Sequence, residues 1–271
     1  MSAITPEKAS LVLVEQNGPV RRLTMNGPKG RNLLTEEMMA SLILELERAG
    51  QDECTRVIIL AANGPVFCGG YNLNDFTAHR SDSDGGKHFF ARITRTSVAL
   101  MQTIINIPKM VIAEVQGPAY AAGCQLVATC DLVIAVNEAT FRTPGVDIGV
   151  FGTTAMVALT RLIPPKQAME MLITGEPIDA HTAKSYGLVN RVVPLEYLQT
   201  AVDKYASEIA NKSSDAIKFG KETFYRQADM TLNEAYDLAS HVMTENLLHA
   251  DAKEGISAYL EKRDPVWPSK K

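Results

Sequence analysis

Alternating apolar and polar positions on both sides of Asn17-Gly18-Pro19 predict an opening β-hairpin with strands over 11–16 and 20–25. The period then lengthens to that of a helix. Met39, Leu42, Ile43 and Leu46 fall on one helical face, Thr35 stands where an N-cap is wanted, and Glu36 and Glu37 suit the positive end of the helix. Branched residues over 56–61 predict a short buried strand, which runs into a loop over 63–70 with three glycines and a proline. A long helix over 89–107 stops before Pro108, and a strand follows over 110–115. After Gly117-Pro118 a run of small residues opens a helix that continues to Cys130, with strands next over 132–135 and 188–193. From Pro165 the pattern is otherwise helical. Thr231-Leu232-Asn233-Glu234 matches a capping box, with Ala235, Leu238, Ala239 and Val242 on one face behind it. Asp251 and Glu254 open a last helix carrying Ile256, Tyr259 and Leu260. Strand, glycine-rich loop and helix recur at least twice, the order of an α/β fold with largely parallel strands.

Composition narrows the partners. The 271 residues are 46% apolar and 21% charged, enough for a self-sufficient core, here read as an α/β unit over 1–195 followed by a helical region over 196–271. Lys and Arg number 27 against 31 Asp and Glu, a net charge of −4 that offers no basic footprint for nucleic acid. No run of about 18 apolar residues occurs, so no membrane span is expected. The first ten residues lack the apolar stretch of a signal peptide and the Arg bias of a transit peptide, so a cytoplasmic protein is expected. Cys54, Cys68, Cys124 and Cys130 form no Cys-x-x-Cys pair and have no histidines at metal-ligand spacing, so no metal is expected.

The chain has no Gly-x-Ser-x-Gly elbow, Walker loop, Gly-x-Gly-x-x-Gly or His-Glu-x-x-His. It does have two small-residue loops, each after a strand: Phe67-Cys68-Gly69-Gly70-Tyr71-Asn72-Leu73 and Ala121-Ala122-Gly123-Cys124. Small residues let a ligand reach the backbone, and free N–H groups at a helix start carry partial positive charge. Facing one another, such loops hold an oxygen as it becomes negative; packed otherwise, they are tight turns of a dense core.

These loops, with Pro28-Lys29-Gly30-Arg31-Asn32, Gln116-Gly117-Pro118-Ala119-Tyr120, Cys130-Asp131-Leu132, Phe141-Arg142-Thr143-Pro144, Thr174-Gly175-Glu176-Pro177 and Gly187-Leu188-Val189, resemble the successive motifs of the crotonase, or enoyl-CoA hydratase/isomerase, superfamily. The order holds from about residue 11 to residue 267. The resemblance implies a crotonase-like superhelix of repeated ββα units with a helical C-terminal appendage that builds a homotrimer or a dimer of trimers. It implies an acyl-CoA thioester as ligand, with coenzyme A entering as part of the substrate and no separate cofactor. In such proteins two backbone N–H groups hold the thioester oxygen, here those of Tyr71 and Ala122. Lys29, Gly30 and Arg31, with Gly70, Asn72 and Leu73, match the stretches along the CoA moiety. Lys221 and Lys262 are further candidates.

The same resemblance exposes a loss. The two glutamates that serve hydratases as general acid and base fall at Gln125 and Gly145, and neither residue can exchange a proton near neutral pH. The aspartate that other members place eight residues beyond the second glutamate falls at Thr153. Asp147, in an extended segment, would point to the same side as position 145 and is a weak candidate. Cys124 near a helix start is either a lowered-pKa thiol or a small core residue. Standard two-glutamate hydration is therefore doubtful. The alternatives are a non-catalytic acyl-CoA binder or partner protein and a divergent thioester hydrolase or decarboxylase. Restoring both carboxylates by Gln125→Glu with Gly145→Glu is expected to raise hydration if the backbone frame is otherwise intact.

Overall fold

The computed structural model describes residues 10–270, so most of the segment behind the targeting expectation lies outside it. Strands β1 (Val12–Asn17) and β2 (Val20–Met25) pair antiparallel, and Gly18, at φ +53°, makes the turn that the Asn-Gly dipeptide predicts. Helix α1 (Glu36–Gln51) begins at Thr35, whose hydroxyl accepts the Met38 N–H at 3.2 Å. Next come β3 (Val57–Ala62), α2 (Leu73–His79), α3 (Lys87–Asn106) and β4 (Met110–Val115). The chain continues through β5 (Ala119–Tyr120), α4 (Ala122–Thr129), β6 (Leu132–Val136) and β7 (Thr140–Arg142). Helices α5 (Thr153–Leu162) and α6 (Pro165–Thr174) precede β8 (Ile178–Asp179), α7 (Ala180–Tyr186) and β9 (Arg191–Val193). The C-terminal helices are α8 (Leu198–Ala210), α9 (Ser214–Gln227), α10 (Leu232–Leu248) and α11 (Ala250–Glu261).

The main sheet has the order β1-β2-β3-β4-β6-β9 and is parallel beyond its opening hairpin. Val57, Ile58, Ile59, Leu60 and Ala61 of β3 are all buried, because helices cover both faces of a parallel sheet and leave no solvent side to alternate with. Helix α8 crosses β2, β3, β4 and β6, while α1 packs on β1, β2 and α3. A second sheet, β5-β7-β8, carries the second small-residue loop after β5, and the first loop joins it through a bridge between Cys68 and Ala119. This is the α/β architecture with a helical C-terminal region that the strand and helix order predicts.

Three local differences matter. The strand expected over 188–193 starts at Arg191, because Gly187 at φ +95° ends α7 and the Leu188 N–H still bonds Ala183 O at 2.9 Å. Helix α2 has no counterpart in the predicted pattern, since its start is set by one side chain, Asn72. Residues Pro144–Ile148 form a 3₁₀ turn where an extended segment is expected.

The last helices are held to the core by a buried charge pair. Lys221 Nζ of α9 lies 2.7 Å from Asp131 Oδ2 and also donates to the carbonyls of Ile104 and Lys109 at 2.7 and 2.8 Å. Asp131 further accepts the Val111 N–H and the Tyr225 hydroxyl, so all three Lys221 donors and both Asp131 oxygens are engaged inside. Beyond this anchor, Phe224, Leu232, Tyr236, Leu248, Tyr259 and Leu260 stay exposed on α9, α10 and α11. Among the described residues no helix is long and apolar enough to cross a membrane.

Candidate active site

The two small-residue loops meet. Phe67 and Cys68 N–H groups donate to Pro118 O at 3.0 and 3.3 Å, and the Tyr120 N–H returns a bond to Cys68 O at 2.9 Å. The approach leaves no space for side chains: a Cβ on Gly123 would stand 2.3 Å from Cys68 O, and one on Gly117 would stand 2.2 Å from Pro65 O. Gly70 combines both demands on glycine, with φ +84° and a Cβ position 2.9 Å from the Ala121 Cβ and 3.4 Å from Ala122 N. Thus the residue before Tyr71 lies directly against the start of α4.

Ala121 is the local strain point. It has φ +52° and ψ −121°, outside the ordinary regions for alanine, and is held there by its N–H to Arg142 O at 2.8 Å and by its own carbonyl, which accepts the Gln125 N–H. The twist makes Ala122 the first residue of α4, where an N–H has no acceptor within the helix and forms part of the positive end of its dipole. Asn32 organises the first loop from beneath. Fully buried at φ +49°, it donates to Asn63 O and Val66 O at 2.9 and 2.8 Å and accepts the Gly27 N–H at 2.8 Å. Its positioning role is not apparent from spacing, although it ends the Pro28-to-Asn32 motif.

Lys29, Arg31 and Asn72 line one groove of about 270 Å³ together with Leu33 and Asn74. Gly30, at φ +62°, sits against Pro65 and Gly64, and Leu73 is half exposed at the start of α2. Asn72 has its side chain committed to that helix, accepting the Asn74 N–H at 3.2 Å and donating to Asp75 Oδ1 at 2.8 Å. Lys221, buried on Asp131, is removed from the candidates for CoA phosphates, and Lys262 stands at the C-cap of α11.

Gln125 is 4% exposed, and its Oε1 has no hydrogen-bond partner. Gly145 occupies a closed position: its carbonyl accepts the Val150 N–H at 2.9 Å, and a Cβ there would lie 2.3 Å from Val150 O. A glutamate at 145 thus requires the 145–150 backbone to move, so the frame assumed for restoring both carboxylates is not present. Asp147 lies in the 3₁₀ turn and pairs with Arg142 at 2.5 Å, while Arg142 Nε also donates to Gly175 O. Thr153 opens α5. Burial pushes the Cys124 thiol up to about 12, which leaves it a neutral core residue at neutral pH. Away from this region, Asp215, His249 and Asp251 bring ligand atoms within 4.8 Å of one another, but the Asp251 carboxylate is engaged by Ser213 and Ser269 at 2.6 and 2.5 Å.

Comparison with known proteins defines the class. The family described as enoyl-CoA hydratase/isomerase matches residues 15–270, and the chain belongs to it. Enoyl-CoA hydratase domain-containing protein 3, mitochondrial, from Xenopus laevis is 44% identical over 257 residues, covering 95% of this chain and 86% of the relative. The protein of the same name from Homo sapiens is 42% identical over 248 residues, covering 92% of this chain and 80% of the relative. The crystal structure of an enoyl-CoA hydratase from Mycobacterium smegmatis superimposes with a TM-score of 0.91 at 39% identity, covering 95% and 99% of the two chains. The crotonase fold follows from this match. The cytoplasmic expectation is overturned, since the frog and human relatives are both designated mitochondrial. The expectation rests on the first ten residues alone, and the folded body carries no sequence signal of its compartment.

Proposed function

We propose that this protein binds an acyl-CoA thioester and stabilises enolate character at its carbonyl between the N–H groups of Tyr71 and Ala122. The observation that carries this is the meeting of Gly70 with Ala121 and Ala122, which sets one backbone beside the other at a helix start. Each such donor is worth on the order of a hundred- to thousandfold in rate. Lys29 and Arg31 offer charge-assisted contacts to the CoA phosphates along the groove they share with Asn72. The exposed apolar residues of α9 to α11 supply the surface for a homotrimer or a dimer of trimers.

The standard two-glutamate hydration is left without its acid and base. An amide at Gln125 and a closed glycine at 145 forgo two groups that each contribute a factor of about 10² to 10⁴. The occlusion of position 145 favours a second reading, acyl-CoA binding without turnover; thioester hydrolysis or decarboxylation on the same oxyanion pair is the other divergent outcome. Mass spectrometry of crotonyl-CoA in heavy water, against a heat-inactivated control, tests these together. Saturable binding with no addition of water across the double bond is expected. Hydration at a useful rate would overturn the inference from Gln125 and Gly145. Release of free CoA would point to hydrolysis, and absence of any thioester binding would refute the acyl-CoA assignment.

A further inference from the structure

At the end of the main sheet opposite the small-residue loops, a cavity of about 320 Å³ is lined by four cations. Arg56 directly precedes β3 and Lys109 directly precedes β4, whereas the loops of the candidate active site follow the far ends of the same two parallel strands. Each strand has six residues, so roughly 20 Å separates the two places. Lys212, between α8 and α9, and Lys218, on α9, complete the group. Glu53 and Asp215 are the carboxylates of the lining, and Asp215 is drawn to His249 at 3.3 Å. No carboxylate among the described residues forms an ion pair with any of the four cations. The C-terminal end of α1 and the N-terminal end of α9 both border the cavity, so their dipoles offset and the side chains set its sign.

Two of these cations are drawn into the protein. Arg56 and Lys109 are half-buried, while Lys212 and Lys218 are exposed. Arg56 Nη2 donates to Ser269 O at 3.0 Å, but Arg56 Nη1 is buried with no hydrogen-bond partner. Folded proteins seldom leave such a donor unsatisfied, and on the wall of a cavity it marks where an occupant accepts. Burial, with the like charges of Arg56 and Lys218, holds the Lys109 ammonium below its ordinary range against the pull of Asp52 and Glu53. Cations gathered in this way are relieved by an anion placed between them. Four cations against two carboxylates leave the lining two positive charges in excess. A phosphate group carries about −1.5 to −2 near pH 7, which offsets that excess, and its oxygens accept from guanidinium and ammonium groups alike. A lone carboxylate offsets only half of it. No aromatic side chain lines the cavity to stack on a nucleobase, so its chemistry suits a small phosphate compound.

We propose that Arg56, Lys109, Lys212 and Lys218 form a binding site for a phosphate group, free or as a small phosphate monoester, at the end of the sheet opposite the candidate active site. The site is independent of the acyl-CoA assignment. Titration calorimetry with inorganic phosphate and with glycerol 3-phosphate, at low ionic strength and against sodium chloride of matched ionic strength, tests this on the wild type, Lys109→Gln and Arg56→Gln. Saturable binding at one site per chain is expected, weakened about tenfold in each variant by the loss of a charge-assisted contact. Tighter binding of glycerol 3-phosphate supports an ester as the ligand, and equal binding supports phosphate itself. Arg56→Gln also gives up the bond to Ser269 O, so Lys109→Gln carries the test if the other variant loosens the C-terminal segment. In phosphate-free buffer, removing a half-buried cation from among like charges should leave the Lys109→Gln melting temperature unchanged or higher, while phosphate should raise that of the wild type. Absence of saturable binding by the folded wild type would overturn the proposal. So would binding that both variants retain. Binding lost in Lys29→Gln with Arg31→Gln but kept in Lys109→Gln would place the anion in the other groove and overturn it equally.

Discussion

The two ends of the candidate site are both built around glycines with no space for a Cβ, yet the glycines serve opposite ends. At Gly70 and Gly123 the missing side chain lets two backbones touch, and in the proposed reading the groups offered to a ligand are the backbones themselves. At Gly145 the missing side chain lets the segment fold back on Val150, and the space a catalytic carboxylate would use is filled by a carbonyl. Chemistry performed by main-chain N–H groups survives replacement of neighbouring side chains, provided the small residues remain. Chemistry performed by a side chain ends with one substitution, and the backbone is then free to occupy the vacated position.

The same added methyl group at the two ends should separate them. Gly123→Ala drives a Cβ toward Cys68 O and is expected to cost about 3 kcal/mol in chemical denaturation, with loss of thioester binding. Gly145→Ala meets an equally close carbonyl, but in a segment that ends in a surface turn; a loss of about 2 kcal/mol is expected, with thioester affinity within about twofold of wild type. Equal loss of binding in both variants would erase the contrast between the ends. Adding glutamate at both 125 and 145 should lower stability without raising hydration of crotonyl-CoA.

Solution pH provides a weaker probe of the first end. Burial raises the Cys68 and Cys124 thiols from an ordinary value of 9.0 to about 12. Their contribution to stability is whole below pH 9; above it the unfolded thiols ionise while the folded ones stay protonated, so stability should fall as pH rises toward 12. Thiol titration of the native protein near pH 8 should label Cys54 alone, and denaturant should expose all four cysteines. The smallest effect is expected at Asp147→Asn. Its pair with Arg142 is half exposed, so the change should cost under about 1 kcal/mol and leave thioester affinity unaltered.

Features governed by neighbours in the chain were legible in the residues. The Thr35 cap, the Thr231 and Glu234 capping box, the Gly18 turn and the parallel sheet all follow from local pattern. The start of α4 at Ala122 does not, because the Ala121 backbone that sets it is held by Arg142 O from a distant strand. Features governed by distant partners were not. Lys221 reads as a surface cation until the fold brings Asp131 beside it, and Ser97 reads as one polar position of a helix until α3 turns it inward. The closure at Gly145 depends on how residues 144–150 curl, which no periodicity announces.

The Lys221 pair also has a consequence for the order of events during synthesis. Asp131 is made 90 residues before the cation that neutralises it. A ribosome that has finished the sheet through β9 has therefore released a carboxylate whose buried site is still incomplete, and burying it alone is strongly unfavourable. Helix α9 has to emerge before that part of the interior can close. For this chain, the end of the α/β sheet in sequence is not the moment at which its core is finished, and the nascent protein depends on its C-terminal helices to shut the interior.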